Sequence, residues 1–137
     1  MTKILSIDYG NKKIGLAISD INKKLASRFL TLKNKSLKSS IEEIKDIITD
    51  KEIGEIVVGL PVGLKAESSQ TRKTNRFIDY LAEEISIPIK KINEVFTSKM
   101  AEENLRRAGI KSEEIKKVID QEAARIFLQD YLDSKSK

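Results

Sequence analysis

A chain of 137 residues with no histidine and no cysteine has to do any chemistry with its acids, lysines, hydroxyls or backbone amides. No Ser-His-Asp triad and no imidazole zinc ligand is open to it. The lack of thiols removes a cysteine nucleophile, disulfides and cysteine-held clusters. Three acids stand out by position. Asp8 closes the apolar run that begins at Lys3 and is followed by Tyr9-Gly10. Glu94 follows Ile89-Lys90-Lys91-Ile92-Asn93. Asp120 falls between Phe127 and Tyr131 on a helical wheel, with Ala123 and Ala124 beside it. Each also has an ordinary reading. Asp8 could cap a turn, Glu94 could sit exposed at a strand end or favour the positive end of a helix starting near Ser98, and Asp120 could be salt-bridged at a helix edge. Together, two or three carboxylates suit Mg²⁺ or Mn²⁺, hard ions that take oxygen ligands. A pair of such ions about 4 Å apart activates water and stabilises the leaving oxygen of a phosphodiester.

Basic and hydroxyl groups lie where a polyanion would be held. Lys12 and Lys13 border the first turn, Arg72 and Arg76 are four apart on one helix, and Ser68, Ser69 and Thr71 stand at that helix's start. Free N–H groups at a helix start favour phosphate; a solvated face and a plain cap explain the same residues. The net charge of +5 carries little information beyond this, because 20 of the 26 basic residues are lysine and they are spread along the chain.

The elements that must position these groups follow from periodicity. Lys3 to Asp8 reads as a buried strand, Lys13 to Ser19 as an alternating one, and Asp20-Ile21-Asn22-Lys23 as a turn into a third strand near Leu25 to Leu32. From Ser36 to about Lys51 the apolar residues Leu37, Ile41, Ile44, Ile47 and Ile48 take helical spacing. A short strand, Glu55 to Gly59, precedes a helix over Ser69 to Glu84, then a strand over Pro88 to Asn93. Two helices, Ser98 to Ala108 and Ser112 to Leu132, finish the chain, with Gly109 as a C-cap between them. The order β-β-β-α-β-α-β-α-α implies one α/β domain over residues 1–137. Its five-stranded mixed sheet has the first three strands antiparallel and helices on its faces. Ligands of such sheets bind beyond the carboxyl ends of the central strands, where Asp8, Gly59 and Glu94 fall. Residues 133–137 read as a frayed tail. No signal peptide and no apolar run long enough to span a membrane is seen, so a cytoplasmic protein with no membrane partner is expected.

The chain resembles the YqgF family of RNase H-like proteins, proposed pre-16S rRNA nucleases that are also described as Holliday junction resolvases. The resemblance spans nearly all of it. It rests on Ile7-Asp8-Tyr9-Gly10 with Lys13-Ile14-Gly15-Leu16-Ala17, and on Val58-Gly59-Leu60-Pro61. It continues through Asn93-Glu94 with Thr97-Ser98 and Ala101, and ends on Ile119-Asp120 with Ala123-Ala124 and Leu128. What it implies is an RNase H-like fold and a metal-dependent endonuclease using one or two Mg²⁺ or Mn²⁺ ions. Asp8, Glu94 and Asp120 would be both catalytic acids and metal ligands, with Lys12, Lys13, Ser69, Arg72 and Arg76 on the nucleic acid. Two departures are visible. Asn93-Glu94-Val95 stands where the family commonly has Asp-Glu-Arg, and Ala66 where a glycine is usual; the missing arginine removes a bidentate phosphate contact that lysine replaces poorly. Three functions remain open: maturation of the pre-16S rRNA 5′ end, resolution of branched DNA, and non-catalytic RNA binding in ribosome assembly. A monomer or a homodimer is expected, the junction reading favouring the dimer.

Overall fold

The computed structural model describes residues 1–61, 68–94 and 97–135. Five strands, β1 (Lys3–Tyr9), β2 (Lys13–Ser19), β3 (Ala26–Lys33), β4 (Ile53–Pro61) and β5 (Ile89–Glu94), form one sheet in the order β3-β2-β1-β4-β5. β1, β2 and β3 pair antiparallel, while β4 runs parallel to both β1 and β5. The expected element order and mixed topology are present. β1 shows no in-out alternation because both faces are covered, and Ile4, Leu5, Ser6 and Ile7 are all buried.

The helices divide between the two faces. On one side α1 (Leu37–Asp50) and α2 (Ser69–Glu84) close a core built from Leu5, Ile7, Ile14, Leu16, Ile56 and Val58 against Ile41, Ile44, Phe77 and Leu81. Each such fully buried side chain contributes about 1.5–3 kcal/mol. Both helices begin on a serine whose hydroxyl accepts an N–H three residues on, Ser36 from Ser39 and Ser68 from Thr71. On the other face α4 (Ser112–Lys135) lays Ala124, Phe127, Leu128 and Leu132 on Ile4, Ala17 and Val57. α3 (Thr97–Arg107) packs outside α4 through Ala101 against Ala123 and Ile126. Gly109, at φ +81°, ends the α3 turn in a conformation that suits glycine, as expected.

Two boundaries differ from the sequence expectation for tertiary reasons. β4 starts at Ile53 rather than Glu55 and continues to Pro61, because it has a strand on each side. Helix α4 reaches Lys135 instead of ending at Leu132. The Lys135 ammonium lies 3.6 Å from Glu55 and 4.9 Å above the Tyr131 ring, and Tyr131 donates its hydroxyl hydrogen to Glu55. Asp133 to Lys135, expected to fray, is therefore helix, while residues 136–137 lie outside the described part. Val95 and Ala66, the sites of two sequence departures, also fall outside it.

Candidate active site

The period of two along each strand decides which side chains meet α4. On β1, Ile7 joins the α1/α2 core, whereas Ser6 donates its hydroxyl hydrogen to the Ala124 carbonyl at 2.9 Å, so Ser6 and Asp8 face α4. On β5, Ile92 packs in the α4 cluster, so Glu94, two residues on, shares that face. Asp120 comes from the third turn of α4 itself. The three acids named from the sequence are thus brought to one face of the sheet, Asp8 and Glu94 at the carboxyl ends of parallel-linked strands.

Two glycines make the approach close enough to matter. Gly15 on β2 pairs directly with Asp8 on β1. A Cβ added to Gly15 would stand 2.2 Å from the carbonyl carbon of Asp120 and 2.6 Å from its Cβ. The space a side chain would fill next to Asp8 is occupied by the backbone of Asp120. Gly59 on β4 does the same for the third acid: its Cβ would lie 2.7 Å from Glu94 Oε2 and 2.7 Å from the Phe127 ring. Both glycines belong to sequence motifs whose purpose is invisible without the helix that presses on them.

Burial raises the proton affinity of all three acids, and neighbouring acids add to it at Asp8 and Glu94. Burial pushes the Asp8 carboxyl well above the ordinary carboxylate range, and the charges of Glu94 and Asp120 push it further. Glu94 is raised to about 7, first by burial and then by Asp120. Asp120 is raised by burial, with Lys13 opposing. Three carboxylates that resist being charged together form an all-oxygen donor set whose repulsion a divalent cation relieves, and in that chemical sense the residues fit Mg²⁺ or Mn²⁺. Among the described residues, no three acids already stand at the spacing of one ion's ligand shell. A bound ion would require Asp8, Glu94 and Asp120 to draw in.

The basic candidates divide. Lys13 reaches the α4 side, its ammonium 3.3 Å from the Lys116 carbonyl, and its charge acts on Asp120. Lys12 is exposed in the same turn, where its carbonyl accepts from Asn34 N. The first turns of α2 lie against the strand ends: Gln70 donates to the Tyr9 carbonyl at 3.0 Å, Thr71 to the Pro61 carbonyl at 2.6 Å, and Phe77 stacks on Tyr9 at 4.3 Å. Ser69 and Arg72 are exposed beside them, and the cap itself is supplied by Ser68. Arg76 points into a cleft of about 620 Å³ between α1 and α2, its guanidinium 5.9 Å from the centre of the Tyr80 ring.

Sequence reasoning missed a buried ion cluster centred two residues beyond Asp120. Glu122, 4% exposed, accepts two hydrogen bonds from Arg125 at 2.8 and 2.6 Å and one from Asn104 at 3.3 Å, and Arg28 approaches to 3.8 Å. It ties α4 to α3 and to the edge strand β3. The available signal was the Glu-Arg spacing of three residues on one helix face. Thr31 on β3 accepts from Gln121 at 2.8 Å and donates to the Lys117 carbonyl, so the turn holding Asp120 is fixed from both sides.

The model of the family described as "RuvX: Holliday junction resolvase" matches residues 2–134. A protein of Thermoanaerobacter pseudethanolicus, "Putative pre-16S rRNA nuclease", is 41% identical over 134 residues, covering 96% of both chains. One of the same name from Chloroflexus aggregans is 38% identical over 133 residues, 96% of this chain and 94% of that protein. Among solved structures, the fowlpox virus resolvase in complex with Holliday junction DNA superposes with a TM-score of 0.60 at 17% identity, covering 99% of this chain and 100% of that one. T. thermophilus RuvC in complex with a Holliday junction substrate gives 0.57 at 13% identity, with 99% and 96% covered. These two likenesses are of fold, an RNase H-like one.

Proposed function

The chain belongs to the RuvX family of Holliday junction resolvases, and from that premise we propose that it is a cytoplasmic, metal-dependent endonuclease that hydrolyses phosphodiester bonds in structured RNA at the pre-16S rRNA 5′ end. The observation that carries the reading is the meeting of Asp8, Glu94 and Asp120 on one face at the carboxyl ends of the strands, with Gly15 leaving room for the Asp120 backbone. The names of the relatives support the RNA substrate.

Asp8, Glu94 and Asp120 would hold one or two Mg²⁺ or Mn²⁺ ions, which when bound supply charge neutralisation at the scissile phosphate and activation of water. The chain's own residues prepare the place. Asp8 and Asp120, held by strand and helix backbones, fix the place of two of the carboxyl groups that would hold the metal beside the phosphate. The Glu94 carboxyl, raised to about 7, and the more deeply buried Asp8 carboxyl, raised well above the ordinary range, are the members of the trio that hold a proton most readily and would release it to solvent as positive charge arrives. Lys12, Lys13, Ser69, Arg72 and Arg76 hold the backbone on either side. Arg76, drawn toward the α1/α2 cleft, would reach the substrate's flank rather than the scissile bond.

A second reading, cleavage of branched DNA, is favoured by the family description and by the fold shared with junction resolvases. It calls for a homodimer that presents two sites to paired strands. Both readings are tested by one assay: cleavage of a precursor spanning the small-subunit 5′ end and of a four-way DNA junction, by wild type, Asp8→Asn and Asp120→Asn, with Mg²⁺, Mn²⁺ or EDTA. RNA cleavage that needs metal and both acids supports the proposal. Cutting of the junction alone replaces it with the second reading. Binding of RNA without cleavage leaves an assembly factor in its place.

A further inference from the structure

Three lysines near the carboxyl edge of the sheet spend their ammonium groups on neutral oxygens. Lys13 donates to the Lys116 carbonyl at 3.3 Å, Lys73 to Asn11 Oδ1 at 3.3 Å, and Lys91 to Asn75 Oδ1 at 3.0 Å. Four lysines are instead held by acids: Lys45 stands 3.8 Å from both Glu42 and Glu84, Lys51 3.8 Å from Asp50, Lys117 3.2 Å from Glu114, and Lys135 3.6 Å from Glu55. An amide oxygen pins an ammonium without cancelling its charge. The charge of Lys13 is turned on Asp120, but the fields of Lys73 and Lys91 remain for an anion in solvent, and part of the cost of ordering a long side chain is met before any ligand binds.

Their placement is not scattered. Asn11 belongs to the β1–β2 turn three residues after Asp8, and Lys73 reaches it from α2, one turn beyond the Gln70 that holds the Tyr9 carbonyl. Lys13 leaves the same turn toward α4, as its alternation with Gly15 requires. Lys73 and Lys13 thus bracket the turn from opposite faces of the sheet. Lys91 pairs in register with Val58, a residue of the α1/α2 core, so it stands on the α2 face and meets Asn75. Lys73 and Lys91 are both exposed, and each is joined to α2, whose outer side also carries Arg72 and Arg76.

We propose that Lys73 and Lys91 form a second phosphate-binding row on the α2 side of the sheet. It grips the substrate's sugar-phosphate backbone away from the bond that is cut. The inference rests on the nuclease reading and adds to it a substrate that passes over both faces of the β1–β2 turn. Such contacts position without reading sequence, and each one releases counterion.

The test is the salt dependence of binding, measured on the precursor RNA without divalent metal so that nothing is cut. Lys73→Gln with Lys91→Gln should lower the slope of log K against log salt by about 1.4–1.8, close to two phosphate contacts. Affinity at low salt should fall at least about tenfold, with kcat at saturating RNA kept. Lys45→Gln, which removes an ion-paired lysine of α1, should leave the slope as in wild type. An unchanged slope in the double variant overturns the inference while leaving the nuclease reading intact, as does an equal loss with Lys45→Gln, which marks only general charge. If wild type binds neither RNA nor junction, the reading beneath the inference falls with it.

Discussion

Gly15 and Asp120 are in contact across the sheet-to-helix gap so closely that a single added methyl on the glycine would lie 2.2 Å from the aspartate's carbonyl carbon. Since Gly15 is also the cross-strand partner of Asp8, this contact sets how near the first acid and the last can come. Gly15→Ala must push α4 outward or bend β2. It should destabilise the fold by at least about 2 kcal/mol and should cut activity by more than the lost folded fraction. Urea melts beside cleavage rates normalised to folded protein separate the two effects.

Asp8→Asn and Asp120→Asn keep the shape of each side chain while removing its charge. Each should lower metal-dependent cleavage at least about a hundredfold while RNA affinity in EDTA stays within a few fold or improves, because negative charge facing the phosphates has gone. Filter binding and single-turnover kinetics on the same preparations decide it; a variant that cleaves like wild type removes its residue from the site.

Glu94 predicts the pH dependence of stability. Its folded pKa, about 7, lies above the ordinary 4.5, so the folded state binds the proton more tightly than the unfolded chain. The associated stability is fully present below about pH 4.5 and is lost as pH rises through 7. In metal-free buffer, Glu94→Gln should therefore stabilise the protein at pH 8, by on the order of 2–3 kcal/mol, and leave it nearly unchanged at pH 4.5. Thermal melts at the two pH values in EDTA measure this, and added Mg²⁺ should narrow the difference.

The ion cluster around Glu122 predicts an asymmetry. Burial alone would raise the Glu122 pKa, but the hydrogen bonds and charge of Arg125 bring it below the ordinary value. Arg125→Leu leaves a carboxylate 4% exposed with only Asn104 and the more distant Arg28, at a cost of about 3–5 kcal/mol. Glu122→Leu frees two arginines that already reach solvent, and should cost less. Their double replacement should recover much of the loss. Equal single-variant costs would mean the cluster is not held by the buried acid.

Much of the fold could be read from pattern alone. β2 and α2 have the bounds that periodicity gave, Lys13–Ser19 and Ser69–Glu84, because alternation and an amphipathic face with a serine cap are local signals. The three acids were legible for a related reason: two end apolar strands and one interrupts an apolar helix face. What could not be read was set by distant partners. The last turn of α4 depends on Glu55, some 80 residues earlier. The roles of Gly15 and Gly59 depend on which sheet face meets α4. Lys73 looked like any surface lysine until Asn11 was seen beneath it.

The hydrogen bond from Ser6 to Ala124 joins positions 118 apart, and Ala26 donates its N–H to Gln129 across 103. The first strands and the last helix thus complete each other, and contacts of such separation carry the entropic cost of closing the long stretch of chain between them. Asp8 and Asp120 therefore meet only when α4 docks on the strand that carries Ser6 and Asp8. Until α4 docks, the chain is a basic surface without its full acid cluster, able to hold a polyanion before it can cut one, so cutting power reports that the molecule has finished assembling itself.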